Sequence, residues 1–207
     1  MTRKQLFVTA LTLLGIVLTY TAFVWLQQND FQLFGLSAYQ YFPLFGLLAY
    51  MTMWVQYMVE AYMHATETPH TIDPFFKRTS LFVLLCIVLH PAIFISKLYA
   101  DGAGLPPASY SQYVAESMVW LVGLGTISLI LFIAFEFRKY FIELGIWKYV
   151  VLLNDVAMLA IFYHGLRLGS TIQSGLFTYV WYFVGVTLVA AIAYKYYYWH
   201  SQKQSVI

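Results

Sequence analysis

Long stretches without a single Asp, Glu, Lys or Arg make up most of this chain: residues 5–29, 31–59, 79–96, 117–135 and 168–194, with 149–166 interrupted only by Asp155. A helix rises 1.5 Å per residue, so roughly 20 apolar residues cross the roughly 30 Å of hydrocarbon in a bilayer, and a helix satisfies its own backbone groups there. Six spans are expected, at roughly 6–27, 40–62, 79–98, 116–136, 147–165 and 175–197. The expected fold class is all-α, a polytopic membrane protein with six transmembrane helices in one bundle over residues 1–207. Six spans and short connections leave no room for a second domain. Composition agrees: 61% hydrophobic and 10% charged residues, with a mean hydropathy of +0.71, leave more apolar surface than a soluble fold can cover. The first span is too long for a signal peptide, and no small-residue cleavage site follows it before Trp25 and Gln27, so it is expected to remain as a membrane helix.

Basic residues set the expected orientation, because cytoplasmic loops retain Lys and Arg. Arg3, Lys4, Lys77, Arg78, Arg138, Lys139, Lys148, Lys195 and Lys203 fall on the side of the N-terminus, the 2–3 and 4–5 loops and the C-terminus. Only Lys97 and Arg167 fall on the other. Both termini are therefore expected in the cytoplasm, with a bacterial inner membrane as the setting. A net charge of +2 gives no reason to expect a nucleic-acid partner.

Several chemistries have no residues to run them. Cys86 is the single cysteine and lies inside the third span, so no disulfide and no thiol-exchange pair is expected. Walker loops, nucleophile elbows, HExxH and zinc spacings are absent from the sequence, as is any dinucleotide-binding GxGxxG. The intramembrane polar residues remain.

An ionisable ring in hydrocarbon is costly and usually has a partner. Of five histidines, His64, His70 and His200 sit at or beyond span ends, where solvation is enough. His90 and His164 do not. His90 lies roughly 18 Å beyond the Lys77–Arg78 pair and His164 roughly 24 Å along its own helix from Lys148, at 1.5 Å per residue. Spans 3 and 5 both run outward, so the rings reach similar depths in the outer half. Matched imidazoles across a bundle are what bis-histidine haem ligation requires; a lone histidine would more often be a hydrogen-bonded packing residue. Pro91 loosens the helix after His90, and Gly165 after His164 would let a flat macrocycle approach the backbone. Lys97 and Arg167 follow on the outward side, placed either to pair with haem propionates or to snorkel to the headgroups.

Asn154 and Asp155 lie in span 5 before His164 and read either as a quinone, flavin or proton-relay site or as a polar contact between helices. Glu60 and Glu136 are expected to be solvated at span ends, and Glu116 to open span 4 from the outside, where a negative charge suits a helix N-terminus. Gly123, Leu124 and Gly125 mark close packing in span 4. Aromatic residues, 20% of the chain, read mainly as an interfacial belt, with Phe94 and Tyr163 as candidates to shape the pocket.

The segments LLCIVLHPAIFISKLY and WKYVVLLNDVAMLAIFYHGLRLGS resemble spans 3 and 5 of the ferric-reductase-like transmembrane domain. That superfamily includes the membrane parts of ferric reductases, NADPH oxidases and STEAP-type metalloreductases, and the haem subunit of a methionine sulfoxide reductase system. The specific part is LHP at His90 and FYHGLRLGS at His164. The resemblance implies one b-type haem on His90 and His164, in the electron-transfer subunit of a membrane oxidoreductase. Two-haem members carry a second histidine 13 or 14 residues away on each ligating helix. Here those positions hold Lys77 or Phe76 and Val151 or Val150, so no inner haem is expected. The missing interval leaves a gap of roughly 15 to 20 Å toward the cytoplasm, judged by helix rise. A bound flavin or quinone is expected as the relay, unless electrons enter and leave near the outer face. Hydride chemistry is expected from a separate flavin- or nicotinamide-dependent reductase, or electrons from the quinone pool. The alternative is a haem-free six-helix transporter or assembly subunit in which the intramembrane histidines hold helices together or relay protons.

Overall fold

The computed structural model describes residues 2–66, 72–137, 146–173 and 175–204. It is an all-α bundle of six helices: α1 (Arg3–Gln28), α2 (Ala38–Ala65), α3 (Asp73–Ala100), α4 (Val119–Phe137), α5 (Trp147–Leu168) and α6 (Gly175–Gln204). Each is long and apolar enough to cross a membrane, and no strand occurs among the described residues. Several run past their apolar runs, so that charged residues such as Asp73, Lys77 and Arg78 are helical as well. We call the face that bears both termini the terminal face and the opposite one the distal face.

Local chemistry sets the helix starts. Thr2 and Gln5 close a capping box, Gln5 accepting from the Thr2 amide at 2.8 Å and Thr2 accepting from the Gln5 amide at 3.2 Å. Gln40 accepts from the Ser37 amide at 2.9 Å where α2 begins. Pro74 stands in the first turn of α3, where the missing N–H has no intrahelical partner to lose. The distal connection between α3 and α4 contains two short 3₁₀ turns, Ala108–Gln112 and Glu116–Met118. Glu116 is exposed in the second, ahead of α4.

The bundle is organised around α2, which packs on α1, α3 and α6 and touches α5. Its side chains Tyr50, Met51 and Val55 are almost fully buried. The closest pairings are the hairpins α2–α3 and α4–α5; α3 meets α4 only sparsely, and α5 meets α6 mainly through large rings such as Phe162 on Trp181. Outward positions such as Ile16, Leu81, Ile127 and Val186 are exposed and apolar, as lipid-facing positions should be. Lipid tails are as apolar as leucine, so helices are held together by packing and by polar contacts between them. The Trp25 indole donates to the Gln40 carbonyl at 2.8 Å, the Trp54 indole to Thr187 Oγ1 at 2.9 Å, and Gln56 to Thr79 Oγ1 at 2.8 Å. Thr171 donates to Gln28, tying the α5–α6 turn to the end of α1.

Lys195, counted among the basic residues of the cytoplasmic side and within the expected sixth span, lies inside α6, 5% exposed and paired with Asp155. Among the other basic residues, Arg3, Lys4, Lys77 and Arg78 lie toward the terminal face. Arg138 and Lys139, and the side chains of Lys148 and Lys203, lie outside the described residues, as does His70.

Candidate functional site

Two cavities lie between the helices and share Met53, Ile87 and Phe132 as a wall. The distal cavity, of about 250 Å³, lies between the α2–α3 and α4–α5 hairpins and is closed on one side by α6. His90 from α3 and His164 from α5 both line it. The helix rise that put the two rings at one depth is matched by helix packing that turns both toward the same space.

Each ring is tethered in the same way. His90 Nδ1 lies 2.7 Å from the Phe42 carbonyl oxygen on α2, and His164 Nδ1 lies 2.8 Å from the Leu121 carbonyl oxygen on α4. A carbonyl oxygen only accepts, so Nδ1 is the protonated nitrogen of both neutral rings. Nε2 then carries the free lone pair. No protein group among the described residues bonds to it in either ring. A backbone carbonyl that fixes tautomer and ring plane is the usual outer support of a metal-ligating histidine.

The remaining lining is largely apolar and aromatic. Phe42 packs against the His90 ring at 5.0 Å between centroids and against Phe94 at 4.9 Å. Tyr113, from the distal connection, meets Phe94 at 4.7 Å and stacks on Tyr39 at 5.3 Å, closing that side. Burial pushes the Tyr113 hydroxyl's pKa up, so it stays protonated. Deeper in the same cavity the Tyr50 hydroxyl is buried without a hydrogen-bond partner among the described residues. A buried hydroxyl left unpaired costs on the order of 1 to 3 kcal/mol, which a polar ligand atom in the cavity would recover. The residues present therefore fit a flat, mainly apolar group with a metal at its centre: two imidazoles of the correct tautomer, aromatic walls and one hydroxyl to satisfy.

The other expected residues are placed differently. Lys97 bonds Asp101, which also accepts from Tyr39 at 2.8 Å, and the Lys97 ammonium sits 5.6 Å above the Tyr39 ring. Hydrogen bonds from Lys97 and then Tyr39 hold the Asp101 carboxyl below its usual pKa. Arg167 is exposed near the end of α5. Neither basic side chain lines the cavity, although Tyr39 does. Gly165 does line the cavity, and it also makes room for its neighbours: a Cβ there would meet Trp181 Cζ2 at 2.9 Å and Ile172 Cδ1 at 3.0 Å. Of the aromatic candidates, Phe94 lines the cavity while Tyr163 is exposed beside Trp120, 6.0 Å between centroids.

The second cavity, about 850 Å³, lies toward the terminal face and is the more polar. Glu60, His64, Asp73 and Glu136 line it, and the Glu60 side chain stays 43% exposed, as expected at a span end. His64 packs at a tilt against Tyr198, 4.5 Å between centroids, with Nε2 3.7 Å from Glu60. Its floor is a polar knot that joins three helices. Lys195 donates to both Asp155 oxygens at 2.6 Å, while Tyr57 and Tyr196 donate to one each, at 2.6 and 2.7 Å. Asn154 donates to the Tyr57 hydroxyl at 3.0 Å. The expected interhelical contact at Asn154 and Asp155 is present, and it also borders a cavity. Lys195 and Tyr57 were not legible as its partners, since they lie 40 and 98 residues from Asp155 in sequence.

No family model, no curated protein and no solved structure matches the chain. Among the described residues no group of three or more His, Cys, Asp or Glu is placed to hold a metal ion.

Proposed function

We propose that this chain is a membrane b-type haem protein of the ferric-reductase-like class, the electron-transfer subunit of an oxidoreductase whose donor domain is a separate partner. The observation that carries the reading is the pair of imidazoles, His90 and His164, lining one cavity with Nδ1 of each tied to a backbone carbonyl. A haem held there by the two Nε2 atoms would supply a one-electron carrier within the membrane.

The chain's own residues do the rest. The Phe42 and Leu121 carbonyls accept from Nδ1 and orient both rings. The aromatic wall excludes water, which in a low dielectric strengthens the remaining polar contacts. Tyr50 offers a donor to a polar edge of the group. Lys97 and Arg167 are proposed for its carboxylates, Lys97 in exchange for its present bond to Asp101.

Toward the terminal face, which the reading places in the cytoplasm of a bacterium, the larger cavity offers room for the flavin or quinone relay that a single haem requires. Electrons would come from a flavin- or nicotinamide-dependent reductase or from the quinone pool. The test is the visible spectrum of the purified protein, oxidised and dithionite-reduced, beside His90→Ala and His164→Ala. A sharp α band at about one haem per chain, lost in either variant, is expected. A colourless protein from a haem-replete host overturns the reading and leaves the haem-free alternative.

A further inference from the structure

We infer that Gly46 and Gly125 are positioning residues, a duplicated seat that sets the planes of His90 and His164. The inference rests on the haem reading above. It starts from a shared geometry: the carbonyl that tethers each ring belongs to the residue four before a glycine, Phe42 before Gly46 on α2 and Leu121 before Gly125 on α4. On a helix, residues i and i+4 lie one above the other on the same face. A ring from the neighbouring helix that reaches carbonyl i must therefore lie across position i+4.

The distances agree. A Cβ at Gly46 would stand 2.9 Å from His90 Nδ1 and 3.0 Å from its Cε1, and a Cβ at Gly125 would stand 3.0 Å from His164 Cε1 and 3.2 Å from its Nδ1. Each ring is held by its carbonyl and cannot swing aside without losing that bond. An added methyl must therefore push the ring along its tether or break it, and either change moves Nε2. Gly123 and Gly15 provide the contrast within the same molecule, because a Cβ at either meets nothing within 4 Å.

The device appears once in the α2–α3 hairpin and once in α4–α5, the two closely packed hairpins on either side of the cavity. Both ligating helices thus follow a helix that supplies carbonyl and glycine in the same order and spacing. The two halves of the site are built alike although the sequences of the seats, FPLFG and LVGLG, have only the final glycine in common.

The experiment compares wild type, Gly46→Ala, Gly125→Ala, Gly123→Ala and Gly15→Ala in detergent for haem per chain, rate of haem loss to a scavenger and midpoint potential. Gly46→Ala and Gly125→Ala are expected to weaken haem retention by about 10-fold and to shift the potential, with Gly46→Ala the more severe. Gly123→Ala and Gly15→Ala are expected to match wild type. A second comparison separates positioning from damage to the fold: in His90→Gly loaded with haem and free imidazole, the untethered ligand can shift, so adding Gly46→Ala should cost little. An equal loss in that background, or wild-type retention and potential in both alanine variants, overturns the seat. A haem-free wild type overturns the haem reading itself, and the seat with it.

Discussion

Lys195 holds both carboxylate oxygens of Asp155 at 2.6 Å from inside α6, and the pair is almost wholly buried. The ammonium also sits 5.3 to 5.5 Å from the ring centres of Tyr57, Tyr196 and Trp199. Helices α5 and α6 also pack through Phe162 and Trp181, and this pair is the charged pin between them. Removing one partner leaves an uncompensated charge in a low dielectric. Asp155→Ala or Lys195→Ala alone should cost about 3 to 5 kcal/mol, and Asp155→Leu with Lys195→Met clearly less than either. By comparison, Thr187→Val, which breaks the Trp54–Thr187 bond, should cost only about 0.6 kcal/mol. Denaturant-induced unfolding in mixed micelles ranks the variants; a double variant as unstable as the sum of the singles would refute the coupling.

Tyr50 predicts opposite effects with and without ligand. Its buried hydroxyl has no partner among the described residues, so Tyr50→Phe should stabilise the ligand-free protein by about 1 kcal/mol. With a cavity ligand bound, the hydroxyl gains a partner and that advantage should shrink or reverse. Thermal unfolding of both forms checks the sign of the difference.

Glycines in this bundle differ in what surrounds them. A Cβ at Gly185 would stand 2.4 Å from Phe162 Cζ, and that ring is stacked on Trp181 at 5.8 Å between centroids. Gly185→Ala should therefore cost about 1 to 3 kcal/mol through overpacking. Gly123→Ala, which meets no neighbour, should instead be neutral or up to about 1 kcal/mol stabilising through helix propensity. Equal effects in melting experiments would show that the close contact at Gly185 relaxes freely.

Asp101 sets a pH expectation at the distal face. Its folded pKa is depressed, first by the Lys97 hydrogen bond and then by that from Tyr39. A depressed carboxyl contributes stability above its unfolded value, about 3.9, and loses it as pH falls through the lower folded value. Proton linkage then requires the stability difference between wild type and Asp101→Asn to stay constant from about pH 5 to 8 and to fall only below about pH 4. Urea titrations across that range measure it. Because Asp101 is solvent-exposed, the difference should also diminish with salt.

The sequence by itself determined the apolar spans and their number, while local capping carries helices beyond them, as α3, expected from 79, begins at Asp73. Hydropathy, length and capping are local properties, and Thr2, Ser37 and Pro74 act on residues a few positions away. It also matched the depths of His90 and His164, because helix rise is constant. Only the tertiary structure decided which face each helix turns inward, and so which groups meet. Lys195 reads in one dimension as one more basic residue toward the cytoplasmic side; in three dimensions Asp155, 40 residues earlier, neutralises it. Lys97 bonds Asp101 locally, four residues on, but only the fold brings Tyr39, 62 residues earlier, onto the same carboxylate. Gly46 and Gly125 cannot be told from Gly15 and Gly123 by composition, since a glycine's role depends on what a neighbouring helix brings to within a methyl's width of it.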